Sequence, residues 1–268
     1  MNYIKGISNI PLFGVCVRYC LSIINAYIIP FFIRGKFQYL KSLKNKYKGK
    51  RCFIVATGPS LNVNDLELIK GEISFSCNSI VKILDKTTWR PDYYMMFDKD
   101  AYLRLKKDIY KNQDKLSNFF YPYDWNFKGK IGRPYVLRRA SWHTHKQHDF
   151  LYKCLGARLR FSQDPSKVVR IGGNIVHIIM QFVYYMGFKE VYLLGCDCTF
   201  LKVYTHADGI GYQRSRSYDA DWSSKVVMED YLLERKIFTK MNIKIYNATR
   251  GGNLELFPRV KLEDVIKS

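Results

Sequence analysis

The sequence predicts an α/β protein: a Rossmann-like, mostly parallel sheet with helices on both faces, preceded by an N-terminal apolar and basic helical arm. Three observations predict it. Cys52 to Ala56 is a short apolar, β-rich run that stops at Thr57-Gly58-Pro59-Ser60 and is followed by a helix start; strand, tight glycine loop and helix form the unit that open α/β sheets use to approach an anion. Ile175 to Met186 is a strong helical pattern closed by a glycine at 187, and Val191 to Leu194 behind it reads as a buried strand ending in Gly195-Cys196-Asp197, a complete αβ unit. Shorter apolar runs at Ile73–Cys77, Pro91–Phe97 and Ile243–Thr249 supply further strands.

Residues 1–49 read as an arm and 50–268 as one nucleotide-binding domain, since 268 residues are enough to bury a full core. The arm could associate with a membrane or pack on protein. Ile10 to Ile33 is largely apolar but carries Pro11, Arg18, Asn25 and Pro30, so it lacks the roughly 20 clean apolar residues of a transmembrane helix. No small-residue cleavage site follows it, which argues against a signal peptide. Arg34, Lys36, Lys41, Lys44, Lys46, Lys48, Lys50 and Arg51 come directly after. An apolar stretch followed by a polybasic one fits a peripheral position on the cytoplasmic face of an anionic membrane. The same arm would suit a homo-oligomer contact.

Lys and Arg number 44 against 23 Asp and Glu, a formal charge of +21. That balance calls for an anionic partner: nucleic acid, anionic lipid or a phosphorylated substrate. The sequence has neither a recognition-helix motif nor zinc-finger spacing, so nucleic acid is not expected. Cys16, Cys20, Cys52 and Cys77 sit inside apolar runs and read as small buried hydrophobes of a reducing compartment; Cys196-Asp197-Cys198 has no partner pair for a zinc site.

The first loop carries the first candidate site. Gly58 lets a ligand approach the backbone closely, and Thr57 and Ser60 add hydroxyls beside Pro59. The loop is neither the dinucleotide fingerprint nor a P-loop. Asn64 is the expected helix cap, with Glu67 reaching back. Asn78 ends the second strand where ligands bind in such sheets. The third strand ends in Asp98-Lys99-Asp100, an acid pair that suits either a divalent metal or a helix N-terminus. Ala101 to Ser117 is helical and basic; Asn118 to Val136 reads as an aromatic loop with an edge strand, and Ser141 to His148 as a polar, histidine-rich loop.

Gly172-Gly173-Asn174 opens the next helix as a second anion-friendly N-terminus, with Arg170 as a fixed charge before it. Asp197 lies at the ligand edge of the sheet. Residues 199–223 form a long polar loop with His206, Tyr204, Tyr212, Tyr218, Arg214 and Arg216; a loop of that length and chemistry suits phosphate contact and acid–base work. Trp222 to Lys240 is an amphipathic helix before the last strand.

Taken together, Phe53-Ile54-Val55-Ala56-Thr57-Gly58-Pro59-Ser60-Leu61, Asn78, Arg170-Ile171-Gly172-Gly173-Asn174, the run Gly187 to Asp197 and Ile245 to Thr249 with Phe257-Pro258-Arg259-Val260 resemble the MptE-like (6-hydroxymethylpterin diphosphokinase-like) domain family. They are also similar to the Campylobacter-type sialyltransferases. The resemblance spans about Lys50 to Ile266 and leaves the arm uncovered. It implies a nucleotide at the first loop, held by Thr57, Gly58, Pro59, Ser60, Asn78, Gly172, Gly173 and Asn174. In the sialyltransferase-like case the donor is CMP-sialic acid, no metal is required, a loop histidine deprotonates the acceptor and tyrosines stabilise the departing phosphate. Here His206 would be the base, Asp197 and Arg170 its catalytic companions, and Tyr204, Tyr212 and Tyr218 the phosphate contacts. Thr57 stands where that motif has Asn, and Asp219 and Asp221 lie where its histidine would align, so an aspartate is the other candidate base. In the diphosphokinase-like case ATP with Mg²⁺ is used, and Asp98, Asp100 and Asp197 become the important acids. The expectations are therefore a glycosyltransferase moving a sugar from a nucleotide-sugar donor to a glycan acceptor in bacterial surface polysaccharide synthesis, an ATP-dependent pyrophosphoryl transferase, or a non-catalytic nucleotide- or glycan-binding module on the same fold.

Overall fold

A parallel sheet in the order β5-β4-β3-β2-β1-β6-β9 organises the chain, with β1 Arg51–Val55, β2 Ser74–Cys77, β3 Tyr93–Met95, β4 Phe119–Pro122, β5 Arg133–Tyr135, β6 Glu190–Leu194 and β9 Lys244–Asn247. A separate antiparallel hairpin pairs β7 Val203–Thr205 with β8 Gly211–Gln213. The helices are α1 Gln38–Ser42, α2 Val63–Leu68, α3 Lys99–Lys111, α4 Ile175–Met186, α5 Ala220–Lys240 and α6 Leu262–Lys267. The computed structural model describes residues 38–122, 125, 133–135, 161–200, 203–205, 207, 209, 211–213 and 220–267. The apolar part of the arm, the histidine-rich loop, His206 and Tyr218 lie outside them.

Strand residues alternate between two cores, as the pleat requires. Cys52, Ile54, Phe75, Met95, Val191 and Leu193 face one side, where α4 and α5 add Val176, Phe182, Val227, Tyr231 and Phe238. Phe53, Val55, Tyr94, Tyr192 and Leu194 face the other, under α2, α3 and α6 through Leu66, Leu105, Ile109, Leu262 and Val265. Helices on both faces explain the unbroken apolar runs: Cys52 to Val55 are all fully buried. Cys52, Cys77 and Cys196 are free and buried, as expected of small hydrophobes. Gly187 caps α4 in the left-handed conformation (φ +84°), as its position predicts. Among the described residues no helix is long and apolar enough to cross a membrane.

Two expectations are corrected. Asn62, not Asn64, caps α2: its side chain accepts from the Asp65 amide at 2.9 Å while Asp65 receives the Asn62 amide. The reciprocal box forms two residues earlier because Leu61 is buried and ends the loop there. Glu67 points elsewhere and accepts from the Thr87 and Thr88 hydroxyls, each at 2.6 Å, which hold its carboxyl down at about 2. Asn62→Ala is expected to cost about 1 kcal/mol, visible as a fall of a few degrees in Tm. Second, the stretch 118–136, expected as loop with one edge strand, supplies that edge strand as β5 and also a buried interior strand, Phe119–Pro122; Pro122 is tolerated because it is the strand's last residue. Residues 38–49, the basic end of the arm, pack on the domain. Leu40 and Leu43 are buried, and the amides of Asn45, Tyr47 and Gly49 donate to the carbonyls of Tyr185, Met186 and Gly187. They thereby satisfy the open carbonyl end of α4.

Candidate functional site

The strand order reverses between β1 and β6, since β2 leads away on one side and β9 on the other. Open α/β sheets bind ligands outside the carboxyl ends at such a switch point. A crevice of about 230 Å³ lies there, lined by Ala56–Pro59 after β1, Cys77 and Asn78 after β2, Gly195–Phe200 after β6, Gly173–Val176 at the start of α4, and Ser223, Val227 and Tyr231 of α5.

The first loop is clamped to the β6 loop. The Ala56 and Gly58 amides donate to Leu194 and Gly195 at 2.8 and 2.9 Å. Ser60 donates its amide and hydroxyl to the two Asp197 carboxylate oxygens at 3.2 and 2.9 Å. A Cβ on Gly58 would stand 1.8 Å from the Asp197 carboxylate and 2.5 Å from the Gly195 carbonyl, so only glycine fits. Asp197 is 6% exposed; burial pushes its carboxyl up, and the Ser60 bonds hold that rise back. Its carbonyl accepts the Asn253 amide at 2.7 Å, and Gly252 (φ +77°) lies so close that a Cβ would come within 2.2 Å of that oxygen. Behind them the Arg259 guanidinium donates to the carbonyls of Thr249, Gly251 and Gly252. Thr57, Gly58, Pro59 and Asp197 thus meet at the crevice, with Ser60 tying the two loops from behind.

Asn78 forms the other wall in the left-handed region (φ +48°), fixed by Tyr94, whose hydroxyl donates to its carbonyl at 2.8 Å. Its side-chain oxygen is buried and has no hydrogen-bond partner among the described residues. An acceptor buried at a crevice wall calls for a donor, such as a hydroxyl or amine of a ligand.

The third wall is less available to an anion than its glycines suggest. The Gly173 amide donates to Asp230 at 2.6 Å and the His177 amide to Asn174 at 3.1 Å. Behind Gly172 and Gly173, His177 Nδ1 lies 2.8 Å from the Glu234 carboxylate, both fully buried. Arg170 is buried with its backbone clasped by Gln181 at 2.8 and 2.7 Å, and it is not among the residues lining the crevice.

Asp98 and Asp100 lie apart from the crevice lining. Asp98 caps α3, accepting from the amides of Asp100 and Ala101. A divalent ion needs several converging oxygen ligands. Among the described residues no three His, Cys, Asp or Glu side chains are grouped to hold a metal ion by themselves.

The long loop reaches the site through its hairpin. Tyr204 and Tyr212 stand directly opposite one another in β7 and β8. The amide of Ala207, which follows His206 in the chain, donates to the Thr57 carbonyl at 3.1 Å.

Residues 31–203 match the 6-hydroxymethylpterin diphosphokinase MptE-like family. The chain belongs to this family. Among solved structures it is similar to the MAf glycosyltransferase from Magnetospirillum magneticum AMB-1, with 14% identity, a TM-score of 0.50 and coverage of 82% of this chain and 35% of that one. It thus spans about a third of that protein's length, and at this identity the likeness is one of fold. The sialyltransferase CstII from Campylobacter jejuni, solved with the substrate analogue CMP-3FNeuAc, also matches, with 12% identity, a TM-score of 0.41 and coverage of 79% of this chain and 86% of that one. A search of the curated proteins gives no match. The MptE-like resemblance read from the sequence is thereby shown.

Sequence reasoning placed Thr57, Gly58, Asn78 and Asp197 at one site, and the structure brings them together. It missed the support: Asp230 on Gly173, Gly252 and Asn253 on Asp197, and Ala207 on Thr57. The Gly251-Gly252-Asn253 run was a visible signal, as consecutive glycines mark close backbone approach.

Proposed function

We propose that the protein is a sialyltransferase-like glycosyltransferase that moves a sugar from a nucleotide-sugar donor to a glycan hydroxyl without a metal. The observation that carries this reading is the anchoring of the His206-bearing hairpin to the first loop through Ala207 and Thr57. It brings Ala207, the residue after a candidate general base in the chain, to the loop that walls a crevice whose free acceptor, Asn78, suits a nucleoside hydroxyl or amine. In the reaction the acceptor oxygen bonds to the sugar's anomeric carbon, the bond from that carbon to the phosphate oxygen breaks, and His206 takes the hydroxyl proton. The nucleotide leaves with the bonding pair, its charge met by the tyrosines and arginines of the long loop. The acceptor class we favour is a bacterial surface polysaccharide, built at the inner face of the cytoplasmic membrane.

Thermal shift against CMP, CDP, UDP, GDP, ADP and ATP, each with EDTA or Mg²⁺, tests the site. CMP or another nucleotide stabilising the protein in EDTA is the expected result. His206→Ala should keep that shift and lose turnover. Stabilisation by ATP with Mg²⁺ alone would transfer the reading to pyrophosphoryl transfer, and no response to any nucleotide would sink it.

A further inference from the structure

The crevice lies at the carboxyl ends of the strands, and the opposite pole of the sheet carries a separate feature. Lys50 precedes β1, Lys189 precedes β6 and Lys244 begins β9. The three are stitched side by side: the Lys189 amide donates to the Lys50 carbonyl and the Lys244 amide to the Lys189 carbonyl, both at 2.9 Å. Lys189 Nζ donates to the Met241 carbonyl at 2.9 Å, which brings in the end of α5 with Lys240 and the 46% exposed Met241. The turn carrying Lys44 and Lys48 joins the same pole, because its amides cap the end of α4. All six of these lysines are exposed. Nearby acids offset little of this charge: Glu72 is paired with Arg51 at 2.6 Å, and Glu190 lies 3.7 Å from Lys244 while accepting the Tyr192 hydroxyl.

We propose that this pole is a docking face for an anionic bilayer. Clustered lysines on one face attract anionic headgroups, and an exposed methionine among them can enter the interface. In the sequence the apolar run Ile10 to Ile33 ends a few residues before α1. Stable membrane attachment takes two signals, one apolar and one polybasic; here the sequence supplies the first and the folded domain the second. The pairing of apolar and basic signals favours lipid over nucleic acid. The inference stands independently of the transferase reading and adds orientation to it. The five residues of β1 separate the docking pole from the crevice by about 16 Å, so the crevice opens away from the lipid, toward soluble donors.

Vesicle flotation of the full chain tests this. Strong binding to phosphatidylcholine vesicles containing phosphatidylserine, weaker binding to phosphatidylcholine alone, and a fall with added salt are expected. The variant Lys44→Glu/Lys48→Glu/Lys50→Glu/Lys240→Glu should lose at least about a hundredfold in affinity while keeping its Tm and its nucleotide shift. Lys106→Glu/Lys107→Glu on α3, also exposed, should bind as the parent does. Undiminished binding by the fourfold variant, an equal loss in the α3 variant, or tighter binding to duplex DNA than to vesicles would each overturn the proposal. Because the nucleotide shift is read separately, failure here leaves the crevice reading standing.

Discussion

Gly58→Ala is expected to lower the stability of the protein by about 3 kcal/mol and to abolish nucleotide-induced stabilisation. The added methyl would stand 1.8 Å from an Asp197 carboxylate oxygen and 2.5 Å from the Gly195 carbonyl, and neither can retreat cheaply. The carboxylate is held by two bonds from Ser60. The Asp197 backbone is held by the Asn253 amide, and the Gly195 carbonyl accepts the Gly58 amide itself. The strain must therefore open the junction between the β1 and β6 loops, which is the floor of the crevice. At 2–4 °C per kcal/mol the change amounts to roughly 10 °C in Tm. Gly251→Ala is the control, since its nearest atom, Ser60 Cβ, lies 3.5 Å away, and it should change little. Asp197→Ala alone leaves the Ser60 amide and hydroxyl without their acceptor and is destabilising in its own right. Combined with Gly58→Ala it removes the 1.8 Å collision, so the double variant should be less damaged than the sum of the two. Strict additivity would show that the two residues do not meet as described.

What the sequence revealed about this junction, and what it concealed, follows from range. The parallel strands were legible because both their faces are covered, which leaves unbroken apolar runs such as Cys52 to Val55. Asn78 and Asp197 were legible as site residues because the carboxyl ends of such strands lie at the ligand edge. The partners that decide what these residues can do were not. Ser60 and Asp197 are 137 residues apart in sequence, and Gly173 and Asp230 are 57 apart; no local pattern carries such a pairing. The Gly172-Gly173-Asn174 turn therefore looks anion-ready in sequence although a buried aspartate holds its second glycine amide. The lysines of residues 38–49 hid Leu40, Leu43 and the Tyr47 ring, which stacks on Phe188 at 5.0 Å. Phe119–Pro122 was misread because an aromatic run ending in proline has the composition of a loop, and only its burial between β3 and β5 shows a strand.

His177→Leu is expected to destabilise the protein by about 3–5 kcal/mol at pH 8 and by distinctly less at pH 5.5. His177 Nδ1 sits 2.8 Å from Glu234, and the two side chains are 1% and 0% exposed. Burial pushes the Glu234 carboxyl up from 4.5 to about 7, against the opposing pull of the His177 hydrogen bond. In the unfolded chain it titrates near its ordinary value, so between about pH 4.5 and 7 the folded state holds a proton that the unfolded state has released. Stability from this group is therefore full below pH 4.5, falls as pH rises through 7, and is flat above; the rise in pKa corresponds to roughly 3 kcal/mol. Removing the histidine takes away the group whose hydrogen bond makes ionised Glu234 tolerable, so the damage grows with pH, whereas the protonated acid at pH 5.5 has no charge to stabilise. Glu234→Gln should flatten the wild-type slope over the same window. Tm measured from pH 5 to 8 for the three proteins decides the matter, and a His177→Leu cost independent of pH would falsify the account. The consequence reaches the crevice, because the His177 ring and Asp230 fill the space a Cβ on Gly172 would need. At pH 8 the variant should lose nucleotide-induced stabilisation along with Tm, since the wall formed by Gly172 to Asn174 rests on this buried pair.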